Sequence, residues 1–139
     1  MAHFAEVRIE PTTCRVRVSR VVSVVDCGRV VSPRTARSQV NCGGVWGIGA
    51  TLREASEIDP RYGGFLNSDI AEYLVPVNAD IGRNEVAFID EPDPMLNKTG
   101  VKGLGEVVMT GVAAAIVNAI WHATGKRLRD LPIRIEDVM

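Results

Sequence analysis

A carboxylate that follows a glycine-rich turn and opens an apolar helical run is a candidate general base, and this chain has one at Glu106. The turn reads Gly100-Val101-Lys102-Gly103-Leu104-Gly105, and the run Val107 to Ala123 follows at once. Glycines let a backbone turn tightly and approach a ligand closely, while a carboxylate at a helix start can be held still and partly desolvated. The same placement also suits a side chain that only satisfies the first-turn amides. The glycine spacing matches neither Gly-x-Gly-x-x-Gly nor Gly-x4-Gly-Lys-Ser/Thr. A stand-alone phosphate or nucleotide site is further disfavoured because a carboxylate at the anion's position repels it. A second stretch surrounds Gln39, where Gly43, Gly44, Gly47 and Gly49 interrupt a helical pattern. Each glycine costs about 1 kcal/mol relative to alanine in a helix, so four together imply close packing against another element or room for a ligand.

The elements that must position these residues are legible as periodicities. Phe4 to Ile9 alternates, with Ala5, Val7 and Ile9 on one face and Phe4, Glu6 and Arg8 on the other, as a half-buried strand does. Pro11-Thr12-Thr13 supplies a turn, and Cys14 to Cys27 resumes the alternation. Val16, Val18, Val22 and Val24 fall on one side, and Arg15, Arg17, Ser19 and Ser23 on the other. This predicts a β-hairpin whose second strand is long enough to be bent or shared between two sheets. Ser32-Pro33 predicts a helix start, with a capping hydroxyl and proline at the first helical position, and the helix is expected over Arg34 to Glu57. Phe65 to Val77 and Glu85 to Ile89 read as short strands. Asp90 to Lys98, with two prolines and three acids, reads as an exposed connector whose charges are solvated. The run after Glu106 is apolar almost all round, as a helix buried on several sides would be, and Gly125 with Lys126-Arg127 stops it. Arg129 to Ile135 reads as one more short strand.

The bulk composition narrows the partners. At 139 residues the chain is one domain's worth, large enough to bury a core without disulfides or a structural metal. Sixteen basic against seventeen acidic residues leave neither a basic field for nucleic acid nor an attraction to anionic membrane. Cys14, Cys27 and Cys42 lack both a C-x-x-C pairing and a nearby histidine. They predict neither a zinc site nor a disulfide framework, and all three are read as reduced thiols. The N-terminus has no basic region followed by an apolar one, and no run is expected to reach the roughly 18 apolar residues of a membrane span.

Three ordered motifs then carry a resemblance: Asp26-Cys27-Gly28-Arg29-Val30-Val31-Ser32-Pro33, Arg37-Ser38-Gln39-Val40-Asn41-Cys42-Gly43-Gly44, and Gly103-Leu104-Gly105-Glu106. With Ala71 to Asp80 and the C-terminal run from Ala113 to Ile133, they resemble the molybdenum-binding subunit of the xanthine dehydrogenase and aldehyde oxidoreductase family, most closely its bacterial aldehyde oxidoreductase type. The resemblance covers nearly the whole chain. It implies a molybdopterin cofactor, in the cytosine dinucleotide form, in the full enzyme. It also implies iron–sulfur clusters and FAD on partner subunits, and an aldehyde or N-heterocycle as substrate. Glu106 takes the role of general base. Gln39 takes that of the glutamine that hydrogen-bonds the cofactor, with the neighbouring glycines as clearance for the pterin. Lys102, Gly103, Leu104 and Gly105 line the same site through the backbone, and no residue of this chain is a metal ligand.

Subunits of that family run to several hundred residues and bring further cofactor-contacting segments. The chain is therefore expected to be the C-terminal portion, residues 1–139 as a single domain, that holds the base but little of the cradle, binds no cofactor by itself and is inactive alone. Its partners are then the rest of the molybdenum subunit and the iron–sulfur and flavin subunits. Its location is cytoplasmic, or periplasmic if exported with a partner. The alternative is a non-catalytic assembly module that associates, with itself or a partner, through the surface left by the missing part. The expected fold is α+β: a mixed sheet with an N-terminal hairpin, packed against two long helices.

Overall fold

The computed structural model describes residues 1–139. Strand β1, Ala2–Ile9, runs antiparallel to β2, Val16–Val25, and β3, Arg83–Phe88, lies parallel to β2 on its other edge, giving the order β1-β2-β3. Helix α1, Pro33–Leu52, belongs to the connection between β2 and β3. Helix α2, Met109–Thr124, follows a 3-10 turn at Glu106–Val108, and a short α3, Ile135–Val138, ends the chain. The expected α+β mixed sheet with an N-terminal hairpin is the observed fold.

In β1 the alternation holds, with His3, Ala5, Val7 and Ile9 turned inward. In β2 it does not hold throughout. Glu6 pairs with Arg20 and Val7 with Val18, which leaves Ser19 as the extra residue of a bulge. A bulge changes the phase of the side chains beyond it. Val16 and Val18 are followed inward by Val21, Ser23 and Val25, so Ser23 is buried while Val22 and Val24 are only partly covered. The strand is bent, as expected, but it is the centre of one sheet and is not shared between two.

Helix α1 starts at Pro33, yet the Ser32 hydroxyl makes no capping hydrogen bond; the Ser32 carbonyl instead accepts from the Ala36 amide at 2.9 Å. The helix ends at Leu52, short of Glu57, where the amides of Arg53 and Glu54 both donate to the Gly49 carbonyl at 2.9 Å. Phe65 to Val77 is not a strand. After α1 the chain forms a strap of turns, with a lone bridge between Ile58 and Phe65. Side chains take the backbone groups a ladder would need: Asn67 Oδ1 accepts from the Glu57 amide, and Asp69 Oδ1 accepts from the amides of Ala71 and Glu72. The segment 129–135 is likewise no strand, and its Ile133 amide donates to the Thr51 carbonyl at 2.7 Å.

Helix α2 buries one stripe, Val112, Ile116 and Ile120, continued by Val108 in the preceding turn, while Val107 and Trp121 stay 42% and 37% exposed. It is therefore buried along one face and not on several sides. The span Glu106–Thr124 is long and apolar enough to cross a membrane by length and composition, contrary to expectation, but its buried stripe packs into the core beside the sheet. Gly125 closes the helix in the left-handed region at φ 73°, as its position predicts.

The two helices meet through glycines. A Cβ on Gly47 would lie 2.5 Å from Val112 Cβ, and one on Gly43 would lie 2.7 Å from Val108 Cβ. Such close approach lets the valines sink fully between the helices. Gly44 faces Asn84 on β3, and Gly49 faces Pro76 in the strap. Packing against the 3-10 turn and α2, β3 and the strap thus meets all four glycines.

Candidate functional site

The site begins where β2 ends. At Asp26-Cys27-Gly28 the chain turns with Gly28 at φ 65°, and a Cβ there would lie 2.2 Å from the Gly100 carbonyl oxygen, so no side chain fits. Gly28 bridges Val101, the Arg29 amide donates to the Gly100 carbonyl at 2.9 Å, and the Lys102 amide donates to the Cys27 carbonyl at 2.8 Å. These bonds seat the loop 100–106 beside the start of α1.

Side chains then fasten the loop. Lys102 Nζ donates to Asp26 Oδ2 at 2.6 Å, and Asp93 Oδ2 lies 3.6 Å from the same ammonium. Asp26 Oδ1 accepts from the Gly28 amide at 3.0 Å. The hydrogen bond from Lys102, reinforced by that amide, holds Asp26 below the usual carboxylate range, and the bond to Asp26 raises Lys102 above the usual lysine value. Gln39 Nε2, two turns into α1, donates to the Gly105 carbonyl at 3.2 Å. Beyond Glu106, Val108 is fully buried over the notch at Gly43.

An open cleft of about 630 Å³ lies between the loop and α1. Gln39, Lys102, Leu104 and Gly105 line it together, whereas Gly103 and Glu106 are solvent-exposed and do not. Glu106 opens the 3-10 turn directly after the lining residue Gly105 and so stands at the rim. Within this chain its carboxylate is not desolvated.

Arg29, Ser32 and Thr35 also line the cleft, and the sequence reading did not single them out as site residues. Their signal was helical spacing: Ser32, Thr35 and Gln39 fall at i, i+3 and i+7, on one face of α1. The first turn of that 20-residue helix contains no acid, and the Ser32 hydroxyl is not spent on capping. The Thr35 hydroxyl donates to the Ser32 carbonyl at 3.2 Å, and the helix start with the uncommitted Ser32 hydroxyl and Arg29 nearby favours an anionic group. Burial pushes the Cys27 thiol, also on the lining, above its ordinary value, which disfavours the thiolate. No group of three or more His, Cys, Asp or Glu side chains converges as metal ligands.

Fold and site together define a small α+β domain with an open, polar-lined cleft between the loop 100–106 and the start of α1. Residues 1–82 match the sequence model of the molybdopterin cofactor-binding domain, and the chain belongs to that family. It is 46% identical over 137 residues to the aldehyde oxidoreductase molybdenum-binding subunit PaoC of Escherichia coli K12, covering 99% of this chain and 19% of that subunit. It is 35% identical over 130 residues to the putative xanthine dehydrogenase molybdenum-binding subunit XdhA of the same organism, covering 94% of this chain and 17% of that subunit. The quinoline 2-oxidoreductase of Pseudomonas putida 86 superposes with a TM-score of 0.88 at 29% identity, over 98% of this chain and 17% of that one. The chain thus corresponds to a segment of a molybdenum-binding subunit of the aldehyde oxidoreductase and xanthine dehydrogenase family, and spans less than a fifth of its relatives' length.

The cleft's donor set fits such a cofactor. Arg29, Ser32 and the start of α1 suit phosphate, and the Gln39 amide keeps a second N–H and its carbonyl for a pterin edge. The fit is that of one wall, because the other side of the cleft is open.

Proposed function

We propose that this chain is the C-terminal, single-domain portion of a molybdenum hydroxylase subunit, and that it supplies the general base and one wall of the cofactor cleft. The observation that carries the reading is the convergence of Gln39, Lys102, Leu104 and Gly105 on one cleft with Glu106 at its rim. The bound cofactor, read as the cytosine dinucleotide form, supplies two-electron oxidation of an aldehyde or N-heterocyclic carbon with oxygen drawn from water. Gln39 and the start of α1 orient that cofactor. The Glu106 carboxylate takes a proton from the attacking water-derived oxygen. That transfer needs the carboxylate ionised and screened from bulk water, and the remainder of the subunit provides the screen. Iron–sulfur and flavin subunits would take up the two electrons, and we place the assembly in the cytoplasm, or in the periplasm if it is exported with a partner.

Glu106→Gln, in molybdenum-loaded enzyme assembled around this segment, tests the reading. It should lower turnover at least about a hundredfold while molybdenum stays bound. Undiminished turnover would remove the base assignment.

By itself the chain should bind no cofactor and be inactive. Tight sites bury about 70% or more of a small ligand, and a single wall does not. A second reading draws on the strap, where Tyr62, Phe65, Leu66 and Ile70 are each exposed: a non-catalytic module that associates with itself through the strap. Light scattering after size exclusion separates the two. A monomer at all concentrations argues against self-association, and a stable dimer supports it.

A further inference from the structure

The base proposed above sits on a loop with few apolar anchors of its own. Between Gly100 and Gly105 no residue is fully buried except Gly100, and a Cβ at Gly103 or Gly105 would meet nothing within 4 Å. Glycine-rich backbone of this kind samples many conformations unless contacts restrict it. The loop nevertheless has fixed points on both sides of Glu106. Downstream, Val108 is seated over Gly43, and immediately upstream Gln39 Nε2 donates to the Gly105 carbonyl at 3.2 Å. Upstream, the only side-chain tie that reaches across the fold to residue 102 is the Lys102 ammonium on Asp26, a contact between residues 76 positions apart.

We infer that Asp26 and Lys102 form a clamp that positions Glu106 through the loop 102–106. Lys102 is then a positioning residue, and its ammonium is directed at protein carboxylates and not at substrate or cofactor. Three features of the geometry support this. The Lys102 ammonium has two carboxylates around it, Asp26 at 2.6 Å and Asp93 at 3.6 Å, which leaves little of its charge for a third anion. Asp26 is itself held by the Gly28 amide, so the anchor belongs to the rigid end of β2. The backbone bonds at Gly28, Arg29 and Lys102 stop at residue 102, so the ion pair reinforces the end of that ladder, beyond which Leu104 packs partly buried against the core and Gln39 holds Gly105. Loss of the clamp loosens residues 102–105, which then keep the Lys102 amide on the Cys27 carbonyl and Gln39 on Gly105, and leaves the cleft wall formed by α1 in place.

This inference rests on the reading of Glu106 as base, and its test separates the two. In molybdenum-loaded enzyme containing this segment, Lys102→Met and Asp26→Asn should speed amide hydrogen exchange across residues 102–106. They should lower kcat about tenfold or more with KM nearly unchanged, since a displacement on the order of 1 Å at a reacting group costs up to about a hundredfold. Lys102→Arg, which keeps a cationic donor, should restore both. Unchanged exchange in Lys102→Met and Asp26→Asn would overturn the clamp. A rise in KM matching the loss of kcat/KM would overturn it too, since Lys102 would then contact ligand directly. Glu106→Gln in the same enzyme reports on the base alone: full turnover there removes the base, while the exchange readout still judges the clamp.

Discussion

The contact between α1 and α2 and the strap from Arg53 to Val77 treat apolar side chains in opposite ways. Between the helices, Gly43 and Gly47 remove their own side chains so that Val108 and Val112 reach 0% exposure. In the strap, Ile70 is 86% and Tyr62 83% exposed, while polar groups maintain the shape: Arg53 pairs with Asp80, Asp59 with Arg61, and Asn67 Nδ2 donates to the Ala55 carbonyl at 2.6 Å. The helix contact is held by burial, which the chain completes by itself. The strap is held by hydrogen bonds and ion pairs, and several of its apolar side chains, Tyr62 and Ile70 above all, find little cover within the chain. We read that uncovered face as the one the rest of the subunit meets.

The comparison can be broken first at the core. Ile116→Ala should destabilise the chain by about 2–5 kcal/mol in equilibrium denaturation, because Ile116 is fully buried between the helices and the sheet. A change under about 1 kcal/mol would mean the helix contact is not what holds the fold. Gly47→Ala comes next, at about 1–3 kcal/mol, since the added methyl meets Val112 and the packed helices have to part. A smaller effect is expected at His3, whose Nδ1 lies 2.9 Å from Ser23 Oγ and whose Nε2 meets no partner.

Burial, and after it the positive N-terminus, holds His3 below the ordinary histidine value near 6.5. The unfolded chain therefore binds the proton more readily, so stability is full above about pH 7 and falls as pH drops below about 6.5. His3→Gln should flatten that slope in denaturation midpoints measured from pH 7.5 to 5.5, and an unaltered slope would assign it to another group. Smallest of all, Ile70→Ser in the strap should leave the stability of this chain within about 0.5 kcal/mol. The same change should weaken incorporation into a full subunit, which co-purification measures.

Where one strand's own periodicity decides the structure, the sequence reading succeeded. β1 alternates and is a strand, Pro33 opens α1, and Gly125 closes α2. It failed where a partner or a long-range bond decides. The bulge at Ser19 exists because β2 must match β1 across a hairpin, and no residue of β2 announces it alone. Phe65 to Val77 has strand-like apolar residues, but strands need an edge to pair with, and Asn67 and Asp69 occupy the backbone instead. At the site, the grouping of Gln39 with Lys102, Leu104 and Gly105 was legible through the motifs. Arg29, Ser32 and Thr35 needed the observation that the cleft runs along one face of α1. The Asp26–Lys102 pair links two motifs distant in sequence, and the acids of the connector, read as solvated, turn out to be used. Asp90 accepts from the Val30 amide at 2.8 Å, and Asp93 flanks Lys102.

The central claim is that this chain folds as one wall of a larger cofactor cleft. Molybdenum per polypeptide, measured by elemental analysis on the 139-residue chain purified from a host that makes the cofactor, tests it most directly. A value near zero, with the chain folded by circular dichroism, is the predicted result. A value near one would contradict it, because the wall formed by α1 and the loop 100–106 would then suffice to hold the cofactor without the rest of the subunit.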